Sequence, residues 1–86
     1  MASYSIEVSA TAEKQIRRLG SSDRLRVLRA IQQLSHNPRP RGCRKLQGYD
    51  DVFRMRIGTH RVIYSIETRR LLIIILKVGH RKDVYR

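Results

Sequence analysis

Three arginines in the second half of the chain have the spacing of neighbouring β-strands. Arg54 and Arg56 alternate with apolar residues, and Arg61 follows a short turn at a position that can share their sheet face. Like charges on one face repel each other unless an anion lies over them, so folding alone does not call for this arrangement. Because a guanidinium grips phosphate through a planar fork, the cluster predicts phosphate binding. The alternative is a basic face that only contacts solvent.

A second group of residues able to do chemistry follows the last apolar run. His80, Arg81 and Tyr85 can supply a titratable group, a phosphate clamp and a ring that stacks on a nucleotide. Each of them, taken alone, fits a frayed basic C-terminus equally well. Their occurrence together with the three upstream arginines favours a functional site.

The composition describes a small and strongly basic protein. The 86 residues suffice for one domain, spanning 1–86, and 19 Lys and Arg against 7 Asp and Glu give a net charge of +12. Such an excess indicates an anionic partner, which can be nucleic acid, an acidic protein or a membrane surface.

Several other classes of protein find no support in the sequence. Cys43 is the single cysteine, which excludes an intrachain disulfide and favours a reducing compartment. We find no signal peptide and no apolar run of membrane-spanning length, so we expect a cytoplasmic protein. The three histidines and the cysteine lack metal-ligand spacing, and no glycine-rich phosphate loop occurs, so we expect neither a metal nor a cofactor.

Hydrophobic periodicity predicts the elements that position these residues. The predicted strands cover residues 4–8, 52–57, 61–67 and 71–78. The first helix begins after Ser9 or Thr11 and is closed by Gly20, and a second helix capped by Ser21-Ser22-Asp23 runs to Asn37-Pro38. A basic loop over 39–47 precedes the second strand. The last strand is apolar on both faces and is therefore predicted at the centre of the sheet.

These elements predict an α+β fold of order β-α-α-β-β-β. We expect an antiparallel sheet, with the two helices forming a hairpin packed on one of its faces. The arginines then lie on the face that the helices leave open.

Four stretches in this order carry a resemblance to a known family. They are Leu46-Gln47-Gly48, Phe53-Arg54-Met55-Arg56-Ile57, Arg61-Val62-Ile63-Tyr64 and Val78-Gly79-His80-Arg81 to Val84-Tyr85. The series resembles the RelE/ParE toxins of bacterial and archaeal toxin–antitoxin operons over nearly the whole chain. For RelE-type members the resemblance implies a ribosome-dependent endoribonuclease that cuts mRNA in the ribosomal A site. ParE-type members share the fold and poison DNA gyrase.

The resemblance also implies roles for individual residues. Carried over position by position, the catalytic residues are Arg54, Arg56, Arg61, Arg81 and Tyr85. The best-known member has lysines where this chain has Arg54 and Arg56, and an arginine does not readily release its proton. His80 is therefore the candidate general base in the local sequence. Further cations assigned to RNA binding are Arg44, Lys45, Lys82 and Arg86.

The implied reaction needs no metal, because the 2′-OH of RNA can attack the adjacent phosphorus directly. Three arginines then bind the phosphate and its developing charge, Arg81 sits near the leaving oxygen, and Tyr85 stacks on or orients the nucleotide. The implied partners are an acidic antitoxin, the ribosome and mRNA, with the toxin monomeric when alone and in a higher assembly with its antitoxin. Two alternatives stay open: a gyrase poison that does not need Arg81 and Tyr85, and a plain RNA-binding protein.

Overall fold

The computed structural model describes residues 3–80, which form two helices and one five-stranded sheet. The strands are β1 (Ser5–Val8), β2 (Arg44–Lys45), β3 (Val52–Ile57), β4 (His60–Glu67) and β5 (Leu72–His80), and the helices are α1 (Ala10–Arg17) and α2 (Ser21–Gln33). The strand order across the sheet is β1-β5-β4-β3-β2. The predicted α+β class is confirmed. β5 was predicted at the centre of the sheet; it lies inside the sheet, between β1 and β4, and β4 is the central strand.

Both helices pack on one face of the sheet, and the core lies between the two layers. The helical side of the core consists of Ala12, Ile16, Val27, Ile31 and Leu34. The sheet supplies Phe53, Met55, Val62, Tyr64, Ile66, Ile73, Ile75 and Val78. Because side chains alternate along a strand, burial of Phe53 and Met55 turns Arg54 and Arg56 to the opposite face.

Ser9 begins α1 and also connects it to β5. Its hydroxyl accepts a hydrogen bond from the Ala12 amide at 3.1 Å and donates one to the Leu76 carbonyl at 3.0 Å. The first contact satisfies one of the amides left open at a helix start. Of the two predicted caps, Ser9 rather than Thr11 is thus the N-cap.

The link between the helices differs from the prediction at Gly20. This residue is extended, with φ of −61°, and is itself the N-cap of α2, which begins at Ser21. The expected C-terminal cap at Gly20 and the expected caps at Ser21-Ser22-Asp23 are therefore wrong. Arg18 is already the C-cap of α1, so Gly20 lies two residues beyond that cap and begins the next helix instead.

The sheet differs from the prediction in two details. β1 pairs with β5 in parallel, from Ser5 opposite Leu72 to Val8 opposite Ile75, so the sheet is mixed rather than wholly antiparallel. No hairpin joins these two strands, so their relative direction is not set by a turn. The predicted loop over 39–47 contains β2, which pairs antiparallel with β3. No helix in the described part of the chain is long and apolar enough to cross a membrane.

Candidate active site

The β3–β4 hairpin brings the three predicted arginines onto one face of the sheet. Arg56 lies directly opposite Arg61 in the register, and Arg54, two residues earlier on β3, lies opposite Ile63. Directly opposite side chains start from Cβ atoms about 4.5–5.5 Å apart, so this is a close pair of like charges. The predicted sharing of a face by these arginines is confirmed, and the helices pack on the other face.

The tight turn between the two strands fixes this register. Two residues, Gly58 and Thr59, connect Ile57 to His60, which lie opposite each other. Gly58 has φ of +61°, and it is the only one of the two with positive φ, as in a type II′ hairpin turn. A shift of one residue here would separate Arg56 from Arg61.

Two more cations extend the arginine cluster across the sheet. Arg44 on β2 lies opposite Arg54, and Lys77 on β5 lies opposite Ile63. One row of the open face therefore runs Arg44, Arg54, Ile63, Lys77, beside the row Arg56, Arg61, Gly79. We call Arg44, Arg54, Arg56, Arg61 and Lys77 the basic face. The sequence-based assignment included Arg44 but missed Lys77.

A β-bulge explains why Lys77 was missed. The β4–β5 register shifts between Ile63 and Tyr64, which pair with Lys77 and Ile75, so β5 holds one extra residue at Leu76. Strict alternation from Ile75 would have put Lys77 on the core face. The bulge instead turns Lys77 to the open face and buries Val78, which is 1% exposed, in the core.

The same bulge moves His80 away from the basic face. His80 pairs with His60, and the two rings meet edge to face with centroids 6.2 Å apart. His60 follows the phase of Val62, which is fully buried against the helices. The structure therefore brings His80 together with His60 on the core side of the sheet and does not bring it together with Arg54 and Arg56.

The other predicted cations fall into two groups. Lys45 is exposed and lies opposite Phe53, which is a core residue, so its register position belongs to the helical side. The remaining predicted site residues, Arg81, Lys82, Tyr85 and Arg86, lie outside the described residues. Thus Arg44, Arg54, Arg56 and Arg61 are the members of the predicted site that the described structure assembles.

Two arginines of the basic face, Arg54 and Arg56, make no ion pair with the acidic residues of the described part of the chain. The ion pairs within residues 3–80 join Arg17 to Glu13 and Arg70 to Glu67, and neither Arg54 nor Arg56 takes part in one. Arg56 is exposed and Arg54 is half-buried. Such a face attracts an anion with several negative groups, and a phosphate backbone fits this description. Among the same residues, no group of three or more His, Cys, Asp or Glu could hold a metal ion.

A groove opens at the edge of β3, beyond the end of β2. Its volume is about 510 Å³. It is lined by Ala30, Gln33, Leu34, Asn37, Pro40, Arg41, Gly42, Arg44, Arg54, Met55, Arg56 and Ile57. We call it the edge groove. It shares Arg44, Arg54 and Arg56 with the basic face, so the two surfaces are continuous.

Tyr64 fastens the wall of the edge groove to the core. Its hydroxyl donates a hydrogen bond to the Pro38 carbonyl at 2.9 Å, and its ring stacks on Phe53 with centroids 6.1 Å apart. Arg39 in turn lies 5.2 Å from the centroid of the Phe53 ring. Burial, and secondarily the Cys43 thiol, raises the pKa of Tyr64 above its ordinary value, although Arg39 opposes the shift. The phenol therefore remains a hydrogen-bond donor.

Comparison with known proteins agrees with this architecture. Residues 6–85 match the family described as the ParE toxin of type II toxin–antitoxin system, parDE. RelE1 of Methanocaldococcus jannaschii is 30% identical over 86 residues, covering 96% of each chain. Toxin RelG of Mycobacterium tuberculosis is 30% identical over 88 residues, covering 96% of this chain and 97% of that one.

A solved structure extends the likeness to three dimensions. In the crystal structure of an archaeal RelE–RelB complex from Pyrococcus horikoshii OT3, the matching chain is 30% identical and superposes with a TM-score of 0.83. The match covers 95% of this chain and 99% of that one. Fold and family together define a toxin of a type II toxin–antitoxin system. The chain belongs to the RelE/ParE superfamily of such toxins.

Proposed function

We propose that this toxin is a metal-independent endoribonuclease that cleaves mRNA in the ribosomal A site and so stops translation. The observation that carries the proposal is the pair Arg56–Arg61, directly opposite each other and beside Arg54 on the face that the helices leave open. A repulsive pair of this kind is stabilised when a phosphate lies over it. The relatives RelE1 and RelG support the RelE type of activity over the ParE type.

In the proposed reaction, the 2′-oxygen bonds to the adjacent phosphorus while the bond from phosphorus to the 5′-oxygen breaks. The 2′-OH loses a proton, the 5′-oxygen gains one, and the products end in a 2′,3′-cyclic phosphate and a 5′-OH. Arg54, Arg56 and Arg61 hold the phosphoryl oxygens and stabilise their growing negative charge. Following the family pattern, Arg81 acts near the leaving oxygen and Tyr85 orients the nucleotide.

Among the described residues of the basic face, none is a good acceptor for the proton that the 2′-OH releases. A guanidinium group is a poor proton acceptor, so we assign the role of base to neither Arg54 nor Arg56. His80, the candidate from the sequence, lies opposite His60 on the core side of the sheet. We therefore assign the proton to solvent, with positioning by the ribosome supplying much of the rate enhancement. Under this assignment, His80→Ala keeps the wild-type rate and pH profile of cleavage.

We also propose an acidic antitoxin as the partner that neutralises the toxin. The homologous chain from Pyrococcus horikoshii was solved in complex with RelB. A net charge of +12 favours association with an acidic protein and speeds the encounter. The toxin alone is proposed to be a monomer that enters a larger assembly with its antitoxin, in the cytoplasm where ribosomes lie.

A gyrase poison is the second candidate function, because the matching family description names a ParE toxin. A purified translation system with a defined mRNA, with the 5′ ends of the products mapped, separates the two. We expect cuts that require the ribosome, lie in the A-site codon, and disappear in Arg61→Ala but persist in the distant Arg69→Ala control. Intact mRNA, together with accumulation of gyrase-cleaved DNA in a parallel supercoiling assay, would establish the gyrase function instead.

A further inference from the structure

We propose that the edge groove binds the ribonucleotide next to the scissile phosphate and helps to select the sequence that is cut. This inference rests on the proposed function, because it takes the basic face as the place where the RNA backbone lies. It concerns a different surface, however, formed by the second half of α2, the segment that follows it and the edge of β3.

The groove exists because β2 is too short to cover β3. β2 pairs only with Phe53 and Arg54, so residues 55–57 of β3 have no strand partner on that side within residues 3–80. A single-stranded RNA held over Arg54 and Arg56 reaches this edge directly, since both arginines also line the groove. The next nucleotide along the strand therefore meets the groove without leaving the protein surface.

The opposite edge of the sheet offers no comparable path. β1 forms that edge. Glu7 on β1 lies opposite Ile74 on β5, and Ile74 lies opposite Ser65 on β4. Because Ser65 is on the open face, Glu7 is on the open face as well. Glu7 is exposed and negatively charged, so it repels a phosphate backbone there. The side of the sheet that carries β3 is thus the favourable exit for the RNA strand.

Charge at the groove matches a nucleotide. Four of its lining residues are arginines, and its lining contains no Asp or Glu. Arg41 is the member that lies outside the sheet, on the segment that Tyr64 holds against the core through Pro38. Arg41 therefore stands on an anchored wall, where it can contact a phosphate beyond the one held by Arg54 and Arg56.

The floor and the rim of the groove match a nucleobase. Ala30, Pro40 and Ile57 are half-buried and give the groove an apolar floor against which a base can pack. Gln33 and Asn37 lie on the rim, and within residues 3–80 neither side-chain amide makes a hydrogen bond. An amide carries both donors and an acceptor, which are the groups that read the edge of an unstacked base. The volume is also in the usual range for sites that hold small ligands.

An acidic peptide segment with an apolar anchor is the competing occupant. It would use the arginines and the floor, but it gives no reason for two open amides on the rim. We therefore assign the groove to RNA and treat occupation by a peptide as an outcome of the test.

The test measures binding of a trinucleotide that cannot be cleaved because its 2′ positions are methylated. Titrated into the isotope-labelled chain, it should shift the backbone amides of residues 33, 37, 41 and 42 together with those of β3. Arg41→Ala should weaken binding by roughly 3- to 10-fold and lower the salt dependence by about 0.7 in log K against log salt. The matched control is Arg69→Ala, an exposed arginine at the β4–β5 turn, which should bind as wild type.

A second measurement addresses sequence choice. Gln33→Ala should redistribute the cuts among A-site codons on programmed ribosomes by at least several-fold, with the protein still folded by circular dichroism. The groove assignment is overturned if the trinucleotide leaves residues 33–42 unshifted, if Arg41→Ala binds like Arg69→Ala, or if only an acidic peptide occupies the groove. A wild-type chain that binds the trinucleotide in the groove yet never cuts mRNA would refute the nuclease proposal and the role in selecting the cut, and would leave only nucleotide binding by the groove.

Discussion

Replacement of Arg56 by glutamine should raise the stability of the fold while it removes activity. Arg56 is exposed, makes no ion pair with residues 3–80, and lies directly opposite Arg61 and two residues from Arg54. Glutamine keeps much of the length and the polarity of the side chain but removes the charge. If the arginines serve phosphate binding rather than folding, the folded protein becomes more stable when one of these charges is removed.

The register allows the size of the gain to be worked out. Opposite guanidinium groups about 6 Å apart repel by about 0.7 kcal/mol in water, and a second neighbour about 7 Å along the strand adds about 0.6 kcal/mol. Because Arg56 is exposed, the dielectric of water is appropriate, and salt at about 0.15 M halves both values. Part of the repulsion between Arg54 and Arg56 also persists in the unfolded chain. The expected gain is therefore about 0.5–1 kcal/mol at low salt, and it vanishes at about 1 M salt.

Urea denaturation of wild type, Arg56→Gln and the control Arg69→Gln at low and high salt measures this gain. Cleavage by Arg56→Gln should fall by roughly 10²- to 10³-fold, as for other losses of one group that stabilises transition-state charge. A loss of more than about 1 kcal/mol of stability, unchanged by salt, would refute the reasoning, because Arg56 would then hold the fold together.

Further substitutions test the local structure that positions the site, at Ser9, Gly58, Gly20 and Tyr64. Ser9→Ala should lower the free energy of unfolding by about 1–2 kcal/mol, because it removes both the cap of α1 and the contact with Leu76. Ser9→Thr keeps the hydroxyl and should retain most of that stability. Equal urea midpoints for wild type and both variants would contradict the role of Ser9 as a cap. Gly58→Ala should lower the free energy of unfolding by about 1–2 kcal/mol, because the φ of Gly58 is +61°. A variant as stable as wild type would show that position 58 does not need glycine. Gly20→Ser should raise the free energy of unfolding by a few tenths of a kcal/mol, because it adds a side-chain cap to α2. Tyr64→Phe should lose about 1–2 kcal/mol by leaving the Pro38 carbonyl without its donor. Because the folded-state pKa of Tyr64 is raised above 10.0, the stability that its hydroxyl contributes is full below pH 10 and declines above it. The difference in unfolding free energy between wild type and Tyr64→Phe should therefore narrow above pH 10. A difference that widens above pH 10 would contradict the raised pKa.

The faces of β3 and β4 could be predicted because their alternation is unbroken near the hairpin. Burial of Phe53 and Met55 and the two-residue turn suffice to put Arg54, Arg56 and Arg61 together. Period-two reasoning works wherever one face of a strand is buried and the register is set by a short turn.

The bulge in β5 lies beyond such reasoning. Residues 71–76 are all apolar, so nothing in the sequence marks Leu76 as the extra residue. The bulge decides the sides of the sheet on which Lys77 and His80 lie, so strict alternation from Ile75 would put each of them on the opposite face. The two residues of β2 are likewise too few to show a period.

The edge groove depends on contacts between distant parts of the chain. Its lining comes from α2, from the segment after it and from β3, and no single stretch carries its signature. The hydrogen bond from Tyr64 to Pro38 joins residues 26 positions apart, and sequence spacing alone cannot predict it. Local patterns thus predict the arginine cluster, whereas tertiary packing creates the surface beside it.

Ribosome-dependent cleavage by the basic face is the central claim, and one experiment tests it most directly. A defined mRNA is translated with purified ribosomes and toxin, and its 5′ and 3′ ends are then mapped for wild type, Arg61→Ala and Arg69→Ala. We predict cuts within the A-site codon that end in a 2′,3′-cyclic phosphate, are absent without ribosomes, disappear in Arg61→Ala and persist in Arg69→Ala. Uncut mRNA with the wild-type toxin, or equal cleavage by a folded Arg61→Ala variant, would contradict the claim.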